Sequence, residues 1–572
     1  MLRRLLRSAF AGGAGVQAQV ERALALRSAG RLADAERELR AAVARDPGHA
    51  VAATNLGVVL LEQDRGPEGA ECLMQALRAD PACAAAHYNL ANLLRSSREH
   101  ERAVEHYAAA AELDPGFPHA LEELLFCLLE VCAWERAAVQ AAALRALVGE
   151  QPAAAWVTRV SPLTTVYLGL DMAQRRFSAA HHARLAARGA RLVARTTRPA
   201  ARPQRLRVGY FSRDFRDHPV GHLLRGVLGL HDRDRFEVCA VSYGPDDGSR
   251  YRRDIEASVD RFIDVQRDND DRAAARMAEA GVHVLLDLGG HTGGTRLGVL
   301  ARRPAPVQAH YLGYPGTIGA DYLDGFLTDA VATPPELAAE FTEPVVRVPH
   351  CFMASAAESA GTADVTSAPT RADEQLPPDA FVYCNFSTAS RISRELFDLW
   401  LEVLRAVPAS VLWLAGAQTM VAERLRERAR AQGIDPARLV FARRMPDKQA
   451  HCARLALADL MLDTAGWHNG HTTTADALWA GVPVLTAPAQ HFAGRVASSL
   501  VHAAGLGDLV AADLTQYRAS AIRLGTEPAA AQALRRRLAE ARTQAPFFDT
   551  PGRVADLESA IDGLWAAPER AA

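Results

Sequence analysis

The chain has 572 residues, enough for roughly three or four domain-sized units with substantial cores. Hydrophobic residues make up 49% and charged residues 23%, and the formal net charge is only -2, so no overall field favours nucleic acid or an anionic membrane as a partner. No apolar run reaches the ~18 residues of a membrane-spanning helix, and the eight cysteines lack C-x-x-C spacing, which argues against zinc or a disulfide framework and predicts a reducing cytoplasm.

The N-terminal part of the chain repeats with a fixed period. Asp46-Pro47, Asp80-Pro81 and Asp114-Pro115 recur every 34 residues, and each pair closes an Ala- and Leu-rich stretch with helical periodicity. Small residues recur at matching positions, which lets paired helices approach closely: Ala23, Gly57 and Ala91, then Ala42, Ala76 and Ala110. The spacing predicts an α-solenoid over residues 16–150, in which 118–150 is a degenerate fourth repeat or a capping pair. Such a solenoid offers a groove to an extended partner.

Asn55 and Asn89 occupy the same position of two successive repeats. Side-chain amides spaced in this way can hydrogen-bond the backbone of a bound peptide, because each offers a donor and an acceptor. The alternative is an asparagine that is solvated or bonded to its own helix. We therefore predict a polypeptide in the repeat groove, while hydrogen bonds of the two asparagines within their own helices remain the alternative.

The periodicity changes after a basic, Pro-containing stretch, and the second half of the chain predicts two α/β lobes. A helical linker is predicted over 151–204, an N-terminal lobe over 205–375 and a C-terminal lobe over 376–565. Strand-like runs lie at 206–212, 236–244, 282–290, 307–314 and 324–331, and again at 381–386, 410–416, 439–445, 459–464 and 483–488. Continuous apolar strands that alternate with helices indicate parallel sheets covered on both faces. Ligands of such sheets bind at the carboxyl strand ends, here a cleft between the lobes.

The segment LDTAGWHNGHTTTADALWAG, residues 462–481, predicts an anion-binding loop that runs into a helix. A buried strand precedes it, Gly470 breaks the chain, and Thr472, Thr473 and Thr474 stand ahead of a helical run. Unpaired backbone N–H groups and the positive helix end would then meet at one point, where a phosphate fits. The alternative is an ordinary capping box between Thr473 and Asp476, without a ligand.

Several motifs in order resemble one family, the O-GlcNAc transferase/SPINDLY glycosyltransferases. They are LRVGYFSRDFRDHPVGH (206–222), VQAHYLGYPGT (307–317), VYCNF (382–386) and NGHTTTADALWAG (469–481). The resemblance implies tetratricopeptide repeats joined to a GT-B pair of Rossmann-like lobes, with UDP-GlcNAc as donor and a polypeptide as acceptor. The chain departs from the animal members in its short repeat array and in lacking their insertion between the lobes.

His218 is the candidate catalytic base. It follows a strand end, Pro219 biases its backbone toward an extended conformation, and an imidazole is suited to take a proton from a hydroxyl at neutral pH. The matching histidine of the family has been proposed as the base. The alternative is a structural histidine beside Asp214 or Asp217.

Lys448 is the second candidate catalytic residue, since the resemblance places it on the nucleotide diphosphate, where an ammonium stabilises the departing UDP. A surface lysine is the alternative. Arg391 stands where the animal enzymes carry lysine, and Thr388 replaces a glutamine of the family. His451 matches the residue that stacks on uracil, or is a helix-surface histidine. The resemblance assigns the following residues to the nucleotide sugar: Thr388, Arg391, Pro446, Asp447, Lys448, His451, His471, Thr472, Thr473 and Asp476 from the second lobe, and His291, Gly313 and Pro315 from the first.

Acidic residues at 246–247 and 268–271 lie in polar loops, where solvated turns are expected rather than a metal site. A cationic diphosphate site has less need of a divalent ion, so neither metal nor cofactor is predicted. The predicted activity is an inverting, metal-independent transfer of GlcNAc from UDP-GlcNAc to Ser or Thr of polypeptides. The alternatives are a SPINDLY-like protein O-fucosyltransferase that uses GDP-fucose, and a repeat scaffold whose transferase region has lost its activity. The sequence does not indicate an oligomeric state.

Overall fold

The computed structural model describes residues 2–148, 160–193, 198, 201–356, 369–445 and 447–568. The chain divides into two compact units, Met1–Leu147 and Val148–Ala572. Among the described helices, none is both long and apolar enough to cross a membrane.

The first unit is a solenoid of paired helices, as the repeat predicts. Its helices are α1 Leu2–Ser28, α2 Leu32–Arg45, α3 Ala50–Glu62, α4 Gly66–Ala79, α5 Ala84–Ser96, α6 His100–Leu113, α7 Pro118–Glu130 and α8 Trp134–Val148. The repeated small residues lie where two helices cross: a Cβ on Gly57 would come within 2.9 Å of Leu73 Cγ and 3.0 Å of the Gly69 carbonyl oxygen. Close helix packing therefore explains the small-residue positions, and α1 begins ahead of the predicted start at residue 16.

Two short helices, α9 Pro162–Tyr167 and α10 Met172–Ala186, lie within the predicted linker. Helix α10 begins with a capping box between Asp171 and Gln174. Residues 149–159, 194–197 and 199–200 of that linker lie outside the described residues.

The first α/β lobe contains, among the described residues, a sheet of seven parallel strands in the order β3-β2-β1-β4-β5-β6-β7. The strands are β1 Leu206–Ser212, β2 Phe236–Ser242, β3 Arg261–Asp264, β4 Val284–Asp287, β5 Val307–His310, β6 Gly325–Asp329 and β7 Val345–Val348. The helices of this lobe are α11 Pro219–Leu224, α12 Arg250–Ser258, α13 Asp270–Glu279 and α14 Leu297–Ala301. Strands β1, β2, β4 and β5 are buried apart from a few side chains, as expected of a parallel sheet covered on both faces.

The second lobe contains a five-stranded parallel sheet within the described ranges, in the order β10-β9-β8-β11-β12. Its strands are β8 Phe381–Asn385, β9 Ser410–Leu414, β10 Leu439–Phe441, β11 Leu460–Leu462 and β12 Val484–Leu485. The helices that follow are α15 Arg394–Ala406, α16 Thr419–Ala431, α17 Lys448–Leu455, α18 Thr472–Trp479, α19 Val496–Ala503, α20 Leu514–Thr526, α21 Pro528–Ala541 and α22 Thr550–Ala566. The carboxyl ends of β8, β10 and β11 lead to the loops that carry the predicted site.

The boundary of the second lobe differs from the prediction of 376–565. Helix α22 packs on the first lobe, where Glu558 accepts hydrogen bonds from His231 at 3.0 Å and from the Asp232 backbone at 2.8 Å. His231 also bonds Tyr210 at 2.7 Å. A buried carboxylate needs such partners, so these bonds fix the last helix on the first lobe.

Candidate functional site

The predicted anion-binding loop, defined here as residues 463–471, connects β11 to α18. Asp463 Oδ1 accepts a hydrogen bond from the Gly470 backbone at 2.8 Å, which closes the loop on itself. A Cβ on Gly470 would come within 2.4 Å of Asp463 Oδ1 and of Thr474 Oγ1. The glycine is therefore required by close packing of the loop against the start of the helix.

The capping-box alternative for this loop is wrong. The N-cap of α18 is His471, and no side chain caps the helix. The Thr473 and Thr474 hydroxyls are buried and have no hydrogen-bond partner among the described residues, and the Asp476 carboxylate bonds Lys448 instead of a backbone N–H. The first backbone N–H groups of α18 are thus left without a side-chain cap at the positive end of the helix, an arrangement that suits an anion.

Arg391 is the cation that the structure places at the anion-binding loop. Its guanidinium donates to the Asn469 carbonyl oxygen at 3.2 Å. Burial, and then the charge of Arg391, lowers the pKa of His471 to about 3, so this imidazole is neutral. Thr388 is exposed, three residues earlier, and its hydroxyl lies 3.2 Å from that of Ser390. The loop thus combines a fixed guanidinium with a neutral imidazole.

Lys448 begins α17 and forms an ion pair with Asp476 of α18, in which the two side chains are 12% and 11% exposed. Burial alone would lower the pKa of Lys448, but the charge and hydrogen bond of Asp476, together with Cys452 and Tyr251, outweigh it and the pKa is raised. The lysine therefore remains an ammonium, and the surface-lysine alternative is wrong. Asp447 caps α17 through the Ala450 backbone at 2.8 Å, and Pro446 lies outside the described residues.

His451 lies on the same helix, one turn after Lys448. Its Nδ1 is 3.1 Å from the Arg454 guanidinium, and its ring centroid is 5.2 Å from that of Phe386. Burial lowers the pKa of His451 to about 4, which keeps the ring neutral. The ring is half-buried, with an aromatic neighbour at its edge, and its stacking on a base stays a prediction.

His218 is the N-cap of α11 in the first lobe, followed by Pro219 as the first helical residue. Its Nδ1 accepts from the Val220 backbone at 3.3 Å and lies 3.6 Å from Asp214 Oδ2. Burial lowers the pKa of His218, opposed in part by the charge of Asp214. Within the described residues no hydrogen bond reaches Nε2. These Nδ1 contacts are those of the structural alternative, and the role of His218 as a base stays a prediction.

His222, one turn further along α11, is a cleft residue that the sequence reasoning missed. Its Nε2 lies 2.7 Å from Asp217 Oδ1, and its ring centroid lies 4.3 Å from that of Tyr251, with the two rings tilted. Burial, and then the charge of Lys448, lowers the pKa of His222. Helix α11 of the first lobe therefore lies near the Lys448–Asp476 pair of the second lobe. The signal was available, because residues four apart share one face of a helix.

His291 lies beside the turn of the first lobe that carries Gly313 and Pro315, and the contact of these residues with a sugar stays a prediction. His291 Nε2 bonds the Ile318 carbonyl oxygen at 2.7 Å, and the ring lies 5.2 Å from that of Tyr314. Burial lowers the pKa of His291 to about 4. Gly313 has a φ of +53°, and a Cβ there would lie 2.0 Å from the Leu288 carbonyl oxygen. Backbone geometry therefore fixes this turn.

The acidic loops are occupied by protein partners. Asp247 accepts hydrogen bonds from the Asp217 and Ser249 backbones at 2.8 and 3.0 Å. Asp270 and Asp271 pair with Arg296 and Arg302. No group of three His, Cys, Asp or Glu side chains in the described part of the chain is placed to hold a metal ion. Metal independence stays a prediction.

In the first unit, Asn55 and Asn89 each donate to the carbonyl oxygen four residues earlier, on Val51 and Ala85, at 2.8 Å. This is the locally bonded arrangement that was the alternative. Both side chains are half-buried, and each amide oxygen remains an acceptor. Their contact with a peptide stays a prediction.

Comparison with known proteins places the chain in a family. The model of glycosyl transferase family 41 matches residues 131–359 and 353–557, and a tetratricopeptide repeat model matches 20–71 and 54–118. The chain belongs to glycosyl transferase family 41. The resemblance drawn from the four motifs is thereby confirmed, and so is the fold of repeats followed by a GT-B region.

Among relatives of this family-41 chain, a probable UDP-N-acetylglucosamine–peptide N-acetylglucosaminyltransferase SEC of Arabidopsis thaliana is 33% identical over 77% of the chain and 46% of its own length. A probable transferase of the same description, SPINDLY from the same plant, is 28% identical over 64% of the chain and 40% of its own length. A solved mutant of the Thermobaculum terrenum O-GlcNAc transferase matches with a TM-score of 0.69 and 28% identity, covering 97% of this chain and 98% of that one. The chain thus spans less than half the length of these curated plant relatives.

Proposed function

We propose that the protein transfers N-acetylglucosamine from UDP-GlcNAc to Ser or Thr hydroxyls of polypeptides, with inversion of the anomeric carbon. The observation that carries the proposal is the open end of α18, where two buried threonine hydroxyls meet no partner in the described part of the chain and the preceding loop holds the Arg391 guanidinium. A diphosphate would satisfy the helix end and the cation together. The names of the Arabidopsis and Thermobaculum relatives support UDP-GlcNAc and a polypeptide as substrates.

The nucleoside is assigned to α17 and the body of α18. Asp476 would accept hydrogen bonds from the ribose hydroxyls, while the ammonium of Lys448 balances its charge. The neutral ring of His451, whose edge lies against Phe386, would stack on uracil. Lys448 pairs with Asp476 of α18, and Arg391 donates to the loop that leads into the same helix. We therefore assign the two cations to diphosphate stabilisation jointly.

The chemical step is assigned to His218. In the tautomer that carries its proton on Nδ1, facing Asp214 Oδ2 at 3.6 Å in place of the bond from Val220, the neutral imidazole would take the proton of the Ser or Thr hydroxyl on Nε2 as the oxygen attacks the anomeric carbon. The bond from that carbon to the β-phosphate oxygen breaks, and UDP leaves with the bonding electron pair. Arg391, Lys448 and the helix end stabilise the charge that develops on the β-phosphate. Attack opposite to the leaving group gives inversion, and the cleft supplies the orientation.

The activity should not require a divalent ion, because fixed cations and a helix end already face the diphosphate. Turnover in excess chelator should equal turnover without it. Complete loss on chelation, restored by a divalent ion, would overturn this part of the proposal.

The test combines calorimetry with mass spectrometry. UDP-GlcNAc should bind and GDP-fucose should not, and a Ser/Thr peptide library should gain the mass of one N-acetylhexosamine. Binding of GDP-fucose alone would replace the donor assignment with fucose. Donor binding without any mass shift under saturation would favour the inactive scaffold.

A further inference from the structure

The carboxylate of Asp463 lies fully buried at the base of the anion-binding loop, with no exposed surface. Oδ1 accepts from the Gly470 backbone at 2.8 Å, and Oδ2 accepts from the Thr486 hydroxyl at 2.7 Å. The Thr464 backbone is a further donor to the carboxylate. One side chain thus ties the first residues of the loop to its last glycine and to β12.

The loop rests directly on this carboxylate. A Cβ on Gly470 would collide with Asp463 Oδ1, and the residue before Gly470 holds Arg391 through its carbonyl oxygen. The Tyr517 hydroxyl donates to the Asp463 carbonyl oxygen at 2.9 Å and receives a hydrogen bond from the Trp400 indole at 3.2 Å. Backbone and side chain of Asp463 are therefore both fixed by groups that do not touch solvent.

A buried carboxylate beneath a phosphate site presents an electrostatic conflict. Burial raises the pKa of Asp463 to about 6, although the hydrogen bonds of Thr486 and Gly470 and the charge of Arg391 lower it. A diphosphate at the end of α18 would bring further negative charge close to the same carboxylate, and a like charge disfavours the ionised form. Protonation resolves the conflict without moving the loop, since Oδ1 still accepts from Gly470 and the Thr486 hydroxyl can turn to accept the new proton.

We propose that Asp463 is a positioning residue, which orders the anion-binding loop through Gly470 and whose proton occupancy rises when the donor diphosphate binds. The inference rests on the proposed function for its ligand class, a nucleoside diphosphate sugar. Asp463 does not touch the donor itself. It acts through the Gly470 backbone and through its own charge.

The other charged and titratable groups around Asp463 are poor competitors for this proton. Burial, and then the charge of Arg391, holds the pKa of His468 well below its usual value and that of His471 at about 3, and burial holds His491 at about 4. The guanidinium of Arg391 has no acceptor for a proton, and burial raises the pKa of Tyr517 far above the neutral range. Asp463 is the group here whose pKa, at about 6, lies where a modest shift changes its proton occupancy.

The test is calorimetry of UDP-GlcNAc binding to the full chain near the pKa of Asp463, in two buffers that differ in ionisation enthalpy. The difference in heat reports the protons taken up, and the diphosphate diester of the ligand does not titrate in this range. The wild-type protein should take up a substantial fraction of a proton. D463N, which keeps the shape and an acceptor for Gly470 but cannot bind the proton, should lose most of that uptake.

Two further variants separate charge from positioning. D513N changes a helix-capping aspartate of the same lobe, on α20, and should leave proton uptake at the wild-type level. D463A removes the acceptor for Gly470 and should weaken UDP-GlcNAc binding about tenfold or more, as for a lost buried hydrogen-bond partner, whereas D463N should stay within about threefold of wild type. Thermal unfolding of each variant checks that it is folded.

Unchanged uptake in D463N would overturn the proton step, and wild-type affinity in D463A would overturn the positioning role. Both outcomes leave the proposed function standing, because the wild-type protein still binds the donor. Failure of the wild-type protein to bind any nucleoside diphosphate sugar would instead contradict the proposed function, and with it this inference.

Discussion

Burial keeps the histidines of the cleft uncharged at neutral pH. It lowers the pKa of His451 to about 4 and that of His471 to about 3, and it lowers the pKa of His218 as well. A neutral imidazole can accept a proton, whereas a charged one cannot. What distinguishes His218 is that its Nδ1 is held by the chain while Nε2 meets no described hydrogen-bond partner.

Replacement of His218 by alanine should reduce transfer to Ser/Thr peptides by about 100-fold or more, the usual contribution of a general base, with UDP-GlcNAc affinity nearly unchanged. In the wild-type protein kcat should fall as the pH drops through a pKa that lies below the ordinary histidine value, because the base becomes protonated. H350A, at an exposed position of the same lobe, serves as the matched control. Loss of donor binding in H218A would remove His218 from the role of base.

Lys448 and Asp476 form a pair in which each residue depends on the other. K448M should destabilise the protein by about 3 kcal/mol, because it leaves a buried carboxylate without its cation, and it should also weaken UDP-GlcNAc binding. The double variant K448M/D476N should recover thermal stability but not donor affinity. If the double variant binds UDP-GlcNAc like wild type, the pair is structural and the nucleotide assignment is wrong.

Strand and helix order in the α/β region was predictable, but the two edge strands of the first sheet were not. Buried strands such as β1 and β9 can be recognised in the sequence as continuous apolar runs. Strands β3 and β7 lie at the two edges of the first sheet and are half-exposed. Because they carry polar residues, they lack the continuous apolar run by which a buried strand is recognised. The place of α22 on the first lobe depends on the buried Glu558–His231 bond, a contact between residues 327 apart that no local pattern encodes.

The loop-to-helix element of the site was predictable for a similar reason: strand, glycine and threonines are all local signals. The partners of the helix were not, because the Lys448–Asp476 ion pair and the approach of His222 arise from segments far apart in the chain. Sequence could place Thr473 and Asp476 in a capping box, and only the fold shows that the pair does not form.

Gly470→Ala tests the loop as an element. The added Cβ would collide with Asp463, Thr473 and Thr474, so the loop must shift and its backbone donors must leave the phosphate position. We expect donor affinity to fall about tenfold or more, as for loss of a charged-group hydrogen bond, with the fold intact. Gly563→Ala, in α22 with no atom near the new Cβ, should bind the donor like wild type. Equal calorimetric affinities of the two variants would contradict the anion-binding role of the loop.

At the scale of the whole molecule, the chain joins a solenoid to a transferase region as two compact units. The 34-residue period was enough to predict the first unit, because each repeat is one local helix pair. A division of labour follows from the proposed function: the α/β lobes bind the nucleotide sugar, and the solenoid selects the polypeptide. Changes in one unit should then affect one substrate and not the other.

The double variant N55A/N89A tests this division. Both amides now donate within their own helices, so their loss should cost little stability, but it removes two acceptors from the predicted peptide groove. We expect KM for a full-length protein acceptor to rise several-fold, with UDP-GlcNAc affinity and turnover of a short Ser/Thr peptide unchanged, since a short peptide need not reach the repeats. Glu71→Ala, an exposed change on α4, is the control and should alter none of these values. If KM for the protein acceptor stays at the wild-type value, these asparagines do not bind the polypeptide, and selection of the acceptor must lie in other residues of the solenoid or in the lobes.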